Sequence, residues 1–198
     1  MKVIGITGGV GAGKSQILEY LNNKYGATIC MADDVAKRLQ KKGGDCYGPI
    51  VEHFGEEILD EKGELNRSKL AGIVFTDNEE LEVLNSIVHP AVKAEVKRMM
   101  HKEEKKNTNL FILESALLVE EDYGEYCDEL WYIYVKDSIR KNRLIYARGY
   151  DSQKVDDIIA SQLTKSEFLK NCDRVIDNNG EFVETMQQLD SIVKSLWE

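Results

Sequence analysis

A chain of 198 residues, 42% of them apolar and 31% charged, has ordinary globular composition and is long enough to build a core without metals or disulfides. Its 26 Lys and Arg against 35 Asp and Glu leave a net charge of −9, which argues against the broad basic surface that sequence-independent nucleic-acid binding needs. No apolar run approaches the roughly 18 residues of a spanning helix, and the apolar start after Lys2 breaks into glycines without a cleavage site, so the expected setting is cytoplasmic, with no membrane partner.

In chain order, apolar runs rich in β-branched residues at 2–7, 27–31, 110–113, 130–135 and 174–176 predict strands, with helical periodicity between most of them. Strands that alternate with helices predict an α/β fold whose parallel sheet is covered on both faces. The first run leads straight into Gly8-Gly9-Val10-Gly11-Ala12-Gly13-Lys14-Ser15, which fits G-x-x-x-x-G-K-[ST], and the helical pattern Ile17, Leu18, Leu21 follows it. Glycines there permit a tight turn whose N–H groups converge on phosphate oxygens at a helix N-terminus. Lys14 is expected to reach the β- and γ-phosphates, and the Ser15 hydroxyl to ligate Mg²⁺.

The second and third runs are separated by nearly eighty residues, far more than one crossover helix requires, so 32–108 is expected to be a helical insertion. Gly43-Gly44 and Gly48-Pro49 punctuate short helices within it. Leu81, Leu84 and Val88, followed after His89-Pro90 by Val92, Val96, Met99 and Met100, predict two helices joined at a bend. The segment 102–109 reads as a charged helix end and turn. Asp33 lies just past the second strand, and the carboxyl ends of parallel strands form the ligand crevice, so its carboxylate is expected to face the same space as Lys14. There it would accept a hydroxyl proton or orient a nucleophile. The plainer alternative is that Asp33 or Asp34 caps a helix beginning at Val35-Ala36.

From 136 to 154 the chain carries six basic and two acidic residues, a reversal of its overall charge. Arg140 and Arg143 stand three apart and share a helix face, while Arg148 falls near the turn Gly149-Tyr150-Asp151. Such arginines suit a hinged lid that closes over phosphates; a solvated basic face is the alternative. Cys30, Cys46, Cys127 and Cys172 form no C-x-x-C pair and read as reduced, partly buried thiols. A phosphate loop alone does not say whether the γ-phosphate passes to water or to a second substrate.

The ordered series around that loop resembles the dephospho-CoA kinase family over nearly the whole chain. It comprises Gly5-Ile6-Thr7 with the loop through Ser15; Ala32-Asp33 with Ala36; Gly63-Glu64-Leu65-Asn66-Arg67 ahead of Val74-Phe75; Ile87-Val88-His89-Pro90; Leu117-Leu118-Val119-Glu120; Gln162; and Val175-Ile176-Asp177-Asn178-Asn179-Gly180. The resemblance implies a three-layer P-loop NTPase core with a five-stranded parallel sheet from 1–31 and 109–198, a lid near 140–165, and a helical acceptor-binding insertion at 32–108. It implies transfer of the γ-phosphoryl group of ATP, with Mg²⁺, to the ribose 3′-hydroxyl of dephospho-CoA.

Carried over by position, Gly11, Ala12, Gly13, Lys14, Ser15 and Gln16 would hold the ATP phosphates. Asp33 would act on the acceptor hydroxyl, and Arg143 would be the catalytic lid-helix arginine. Asn178 and Asn179 would lie near adenine, while His89, Leu117 and Arg140 would serve the acceptor, alongside Leu118 and Glu120. This chain departs from the family pattern at Met31, where the family carries a first carboxylate, and at Ala116, which replaces a proline. Its Arg143 to Arg148 spacing is one residue longer. Two other readings stay open: a different small-metabolite or nucleotide P-loop kinase, and a P-loop regulatory NTPase. No N-K-x-D guanine-reading tetrapeptide is present.

Overall fold

The computed structural model describes residues 1–197, the Arg148 side chain excepted. Its strands are β1 (Lys2–Thr7), β2 (Thr28–Met31), β3 (Leu110–Glu114), β4 (Glu129–Tyr134) and β5 (Arg174–Asp177). They form a five-stranded parallel sheet in the order β2-β3-β1-β4-β5. Its helices are α1 (Lys14–Tyr25), α2 (Ala32–Leu39), α3 (Tyr47–Phe54), α4 (Arg67–Val74), α5 (Asn78–Lys105), α6 (Asp137–Arg148), α7 (Ser152–Ala160), α8 (Lys165–Asn171) and α9 (Phe182–Ser195). The chain divides into two compact units, one of Met1–Cys30 with Glu103–Glu198 and one of Met31–Lys102.

In the sheet unit, alternation along each strand divides the side chains between two faces. Ile4 and Ile6 of β1, Ile112 of β3, and Trp131 and Ile133 of β4 form one buried cluster with Ile17 and Leu21 of α1 and Leu189 and Val193 of α9. Each such side chain, fully buried, contributes about 1.5–3 kcal/mol of transfer free energy. On the other face, Tyr132 stacks on Phe168 of α8 with ring centroids 4.5 Å apart. Burial pushes the Tyr132 hydroxyl up to about 12. The register sets β1 between two distant segments, with Ile6 opposite Glu114 on one side and opposite Trp131 on the other. That central place brings the loop after β1 to the carboxyl edge beside the ends of β3 and β4.

The helical unit is held by buried Ile50, Phe54, Leu70, Val74, Val88, Val92 and Val96. Asn66 caps α4, its Oδ1 accepting from Ser68 N and Lys69 N at 3.1 Å each. One expectation fails here, since α5 runs unbroken from Asn78 to Lys105 with Pro90 inside it. A proline inside a helix removes one backbone bond and costs about 3 kcal/mol. Val88, Val92 and Val96 continue one buried stripe through it at four-residue spacing, and that burial outweighs the loss. A second correction concerns α2, which begins at Ala32 with Met31 as its N-cap, so neither Asp33 nor Asp34 is the cap. The strand passes directly into the helix, which leaves both carboxylates in the first turn, where the helix dipole favours them.

Candidate active site

The loop between β1 and α1 takes its shape from glycines, Gly8 with a φ of 148° among them. Gly11 and Gly13 both have φ of 84°, a left-handed conformation that costs other residues about 1–2 kcal/mol. Gly13 is the N-cap of α1, which carries neither a side-chain cap nor an acidic residue in its first turn. The positive end of that helix is therefore open to an anion.

Every carbonyl from Gly8 to Gly13 is occupied. Lys14 Nζ donates to Gly8 O at 2.7 Å, Arg140 Nε to Val10 O at 3.0 Å, Arg143 Nη1 to Gly11 O at 3.4 Å and Asn178 Nδ2 to Ala12 O at 2.8 Å. The backbone closes the set, Ala12 N donating to Gly9 O at 3.1 Å and Gln16 N to Gly13 O at 3.2 Å. With the acceptors taken, the donors are exposed: the N–H groups of Gly11, Gly13 and Lys14 have no acceptor among the described residues. Unanswered N–H groups at a helix N-terminus are what an anion needs there.

The four side chains that hold the loop come from three places in the fold: α1, α6 and the segment after β5. Lys14 opens α1, and its ammonium also lies 3.5 Å from Glu114 Oε1 at the end of β3, a carboxylate that is only 6% exposed. Arg140 and Arg143 share one face of α6. Arg140 is buried and donates further to Asp137 Oδ1 at 2.9 Å and to Gln162 Oε1, while Arg143 Nη2 donates to Asn178 O at 3.1 Å. Asn178 follows β5, and its side-chain oxygen accepts from Thr185 Oγ1 of α9 at 2.9 Å. Its amide is thus committed at both ends, to the loop and to α9. Beside Arg140 a cavity of about 410 Å³ opens between Tyr134, Lys136, Gln162 and Lys165.

Ser15 and Gln16 are exposed on the first turn of α1. Asp33 belongs to the helical unit, on the first turn of α2, where its exposed carboxylate has no hydrogen-bond or ion-pair partner among the described residues; its neighbour Asp34 pairs with Lys37 at 2.7 Å. His89 is half-buried midway along α5. Leu117 is 46% exposed, whereas Leu118 is fully buried beneath β1. Arg148 lies outside the residues whose side chains are described.

Two residues at the loop escaped the sequence reading. Glu114 had a signal, a carboxylate that ends an otherwise apolar strand, and Gln162 had none beyond its place in the family series. A third group, Thr7 Oγ1, is buried without a hydrogen-bond partner at the residue before the loop. Such an atom costs roughly 1–3 kcal/mol unless something else satisfies it.

The chain is similar to proteins of one family along nearly its whole length. The family model for dephospho-CoA kinase matches residues 2–184. The dephospho-CoA kinase of Geobacillus kaustophilus is 35% identical over 195 residues, which cover 98% of this chain and 96% of the relative. That of Bacillus anthracis is 35% identical over 192 residues, covering 97% and 96%. Among solved structures, one from Thermus thermophilus superposes with a TM-score of 0.82 at 25% identity, covering 98% of this chain and 97% of that one. A shikimate kinase from Acinetobacter baumannii shares the fold alone, with a TM-score of 0.54 at 14% identity and coverage of 98% and 94%.

Proposed function

The chain belongs to the dephospho-CoA kinase family, and from that premise we propose how its own residues carry the transfer of the ATP γ-phosphoryl group to the ribose 3′-hydroxyl of dephospho-CoA. The observation that carries the reading is the loop whose carbonyls are all held, because it leaves converging N–H groups for the β- and γ-phosphates. Lys14 swings from Gly8 O to the phosphates, and Arg140 and Arg143 balance the charge that gathers on the transferring group. Asn178 serves the nucleotide through the loop that it braces.

Asp33 orients the acceptor hydroxyl and takes its proton, and a carboxylate free of internal partners is suited to that duty. His89 and Leu117 contact the acceptor. Ser15 and Glu114 offer the hard oxygen donors that Mg²⁺ prefers, and these two residues would hold the ion beside the phosphates. When bound, the ion neutralises charge on the bridging phosphate oxygens. Four free cysteines suit the reducing cytoplasm, where we place the protein.

The test is acceptor-dependent ADP release. With ATP and Mg²⁺ alone, release should be slow, and addition of dephospho-CoA should raise it sharply. Equal release with and without the acceptor would favour a regulatory NTPase instead, and a rise with another hydroxyl compound alone would favour a different small-metabolite kinase.

A further inference from the structure

We propose that Gln162 is a positioning residue for the phosphoryl transfer: its side-chain carbonyl fixes the Arg140 guanidinium in one orientation over the phosphate loop. The inference rests on the reading that Arg140 meets the phosphates.

Gln162 Oε1 accepts from two donors, Val10 N–H at 3.2 Å and Arg140 Nη2. Arg140 Nε in turn donates to Val10 O at 3.0 Å. The N–H and the carbonyl of one loop residue are therefore gripped together, one by the glutamine and one by the arginine. A guanidinium has five N–H donors. Three are used here, on Val10 O, Asp137 Oδ1 and Gln162 Oε1. One hydrogen remains on each terminal nitrogen, and such a pair matches two phosphate oxygens in a fork.

Asp137 cannot fix that plane by itself, since its side chain is 64% exposed and solvent screens the ion pair. Gln162 differs in being neutral. It orients the cation without cancelling the charge that the phosphates need. Its own backbone is well anchored: Gln162 N donates to Ile159 O at 3.3 Å at the end of α7, and two residues later Thr164 forms a capping box with Glu167 at the start of α8. A side chain on so short and tethered a connection is held in place, as a precise orienting contact requires.

The loop shows the imprint of this clasp. Gly9 does not adopt a positive φ, so its backbone alone does not call for glycine. A Cβ there would collide with the Arg140 guanidinium and lie 2.7 Å from Gln162 Oε1. A side chain at position 9 would have to displace these two groups from the loop.

The test is a double-mutant cycle on the full chain with ATP, Mg²⁺ and dephospho-CoA, with thermal melting read in parallel. Gln162→Met keeps the length of the side chain and removes its acceptor. It should lower kcat by about 10- to 100-fold, the scale of a misplaced catalytic group, while the KM for ATP moves less than about threefold. In an Arg140→Ala background the same substitution should change kcat by less than about twofold, because nothing is left to orient. Equal fold losses in both backgrounds would show that Gln162 is only structural, and so would normal turnover by Gln162→Met beside an impaired Arg140→Ala. Should Gln162→Met melt below the assay temperature, Gln162→Asn replaces it in the cycle; it keeps a neutral amide but draws the accepting oxygen back by one methylene, and the same background dependence is required. Full kcat in Arg140→Ala would overturn the inference through its premise, leaving the kinase reading intact. Absence of acceptor-dependent ADP release by the wild type is the separate failure of that reading.

Discussion

In the phosphate loop, the carbonyls of Gly8, Val10, Gly11 and Ala12 are each held by a different side chain, and three of those side chains come from more than a hundred residues downstream. The helical unit of Met31–Lys102 is arranged the other way. Its shape comes from buried apolar side chains, and its polar groups pair at the surface, as with Lys37 and Asp34 or His53 and Glu80, both at 2.7 Å. Polar side chains in the loop set geometry and chemistry at once, so substitutions there should strike turnover. Most charges of the helical unit are structurally light, since exposed pairs contribute about 0–1 kcal/mol. A charge in that unit whose loss abolishes activity must act on something outside the fold's own contacts.

Asp33 is the sharpest case. Asp33→Asn keeps the shape and removes the proton acceptor, and it should lower kcat by about 10² to 10⁴. Its carboxylate has no partner to lose beyond the helix dipole, worth about 0.3–1 kcal/mol, so the melting temperature should fall by a few degrees at most, with ATP binding unchanged. Normal turnover with a markedly shifted melting curve would erase the contrast between the two regions.

Lys14→Ala tests the loop side of the comparison. The fold should persist by circular dichroism while kcat drops about 10² to 10³, the scale of one lost electrostatic stabiliser. A folded variant that turns over at nearly the wild-type rate would remove Lys14 from the chemistry.

The smallest effect is expected at Glu95, which accepts from Arg98 Nε at 2.6 Å and from Arg38 Nη2 at 2.6 Å. The Arg98 hydrogen bond, helped by Arg38 against the cost of burial, holds its carboxyl at about 2. A depressed carboxyl contributes stability that is complete above its unfolded value near 4.5 and is lost as pH falls toward 2. Glu95→Gln should therefore melt about 2 to 4 °C below the wild type at neutral pH, with normal kcat. That gap should close between pH 4.5 and 2; a gap that ignores pH would mean that packing, and not charge, holds the residue.

What could be read from the sequence was local. The strands and the glycine signature each lie within a few neighbouring residues, and they emerge within one or two positions of where periodicity puts them. The misjudged features were decided by tertiary packing. Pro90 reads as a break, yet the Val88, Val92 and Val96 stripe carries the helix through it. Asp33 and Asp34 read as possible caps, yet α2 starts at Ala32 because the strand runs directly into it. Glu114 and Gln162 were passed over because their partners, Lys14 and Val10, are 100 and 152 residues away in sequence and meet them only once the parallel crossovers are made.

The position of β1 at the centre of the sheet also sets a timetable. Ile4 pairs with Ile112 on one side and with Glu129 on the other, and the loop that follows it is clamped by Arg140, Arg143 and Asn178. On a ribosome the glycine-rich segment emerges before its sheet partners and waits for them as a slack tether, since strands so distant cannot close on each other until the intervening chain exists. Compact helices from the middle of the chain can form meanwhile. The full set of clamps on the loop is complete only once β5 and Asn178 exist, so a chain that stops short of them carries the whole motif without the contacts that shape it.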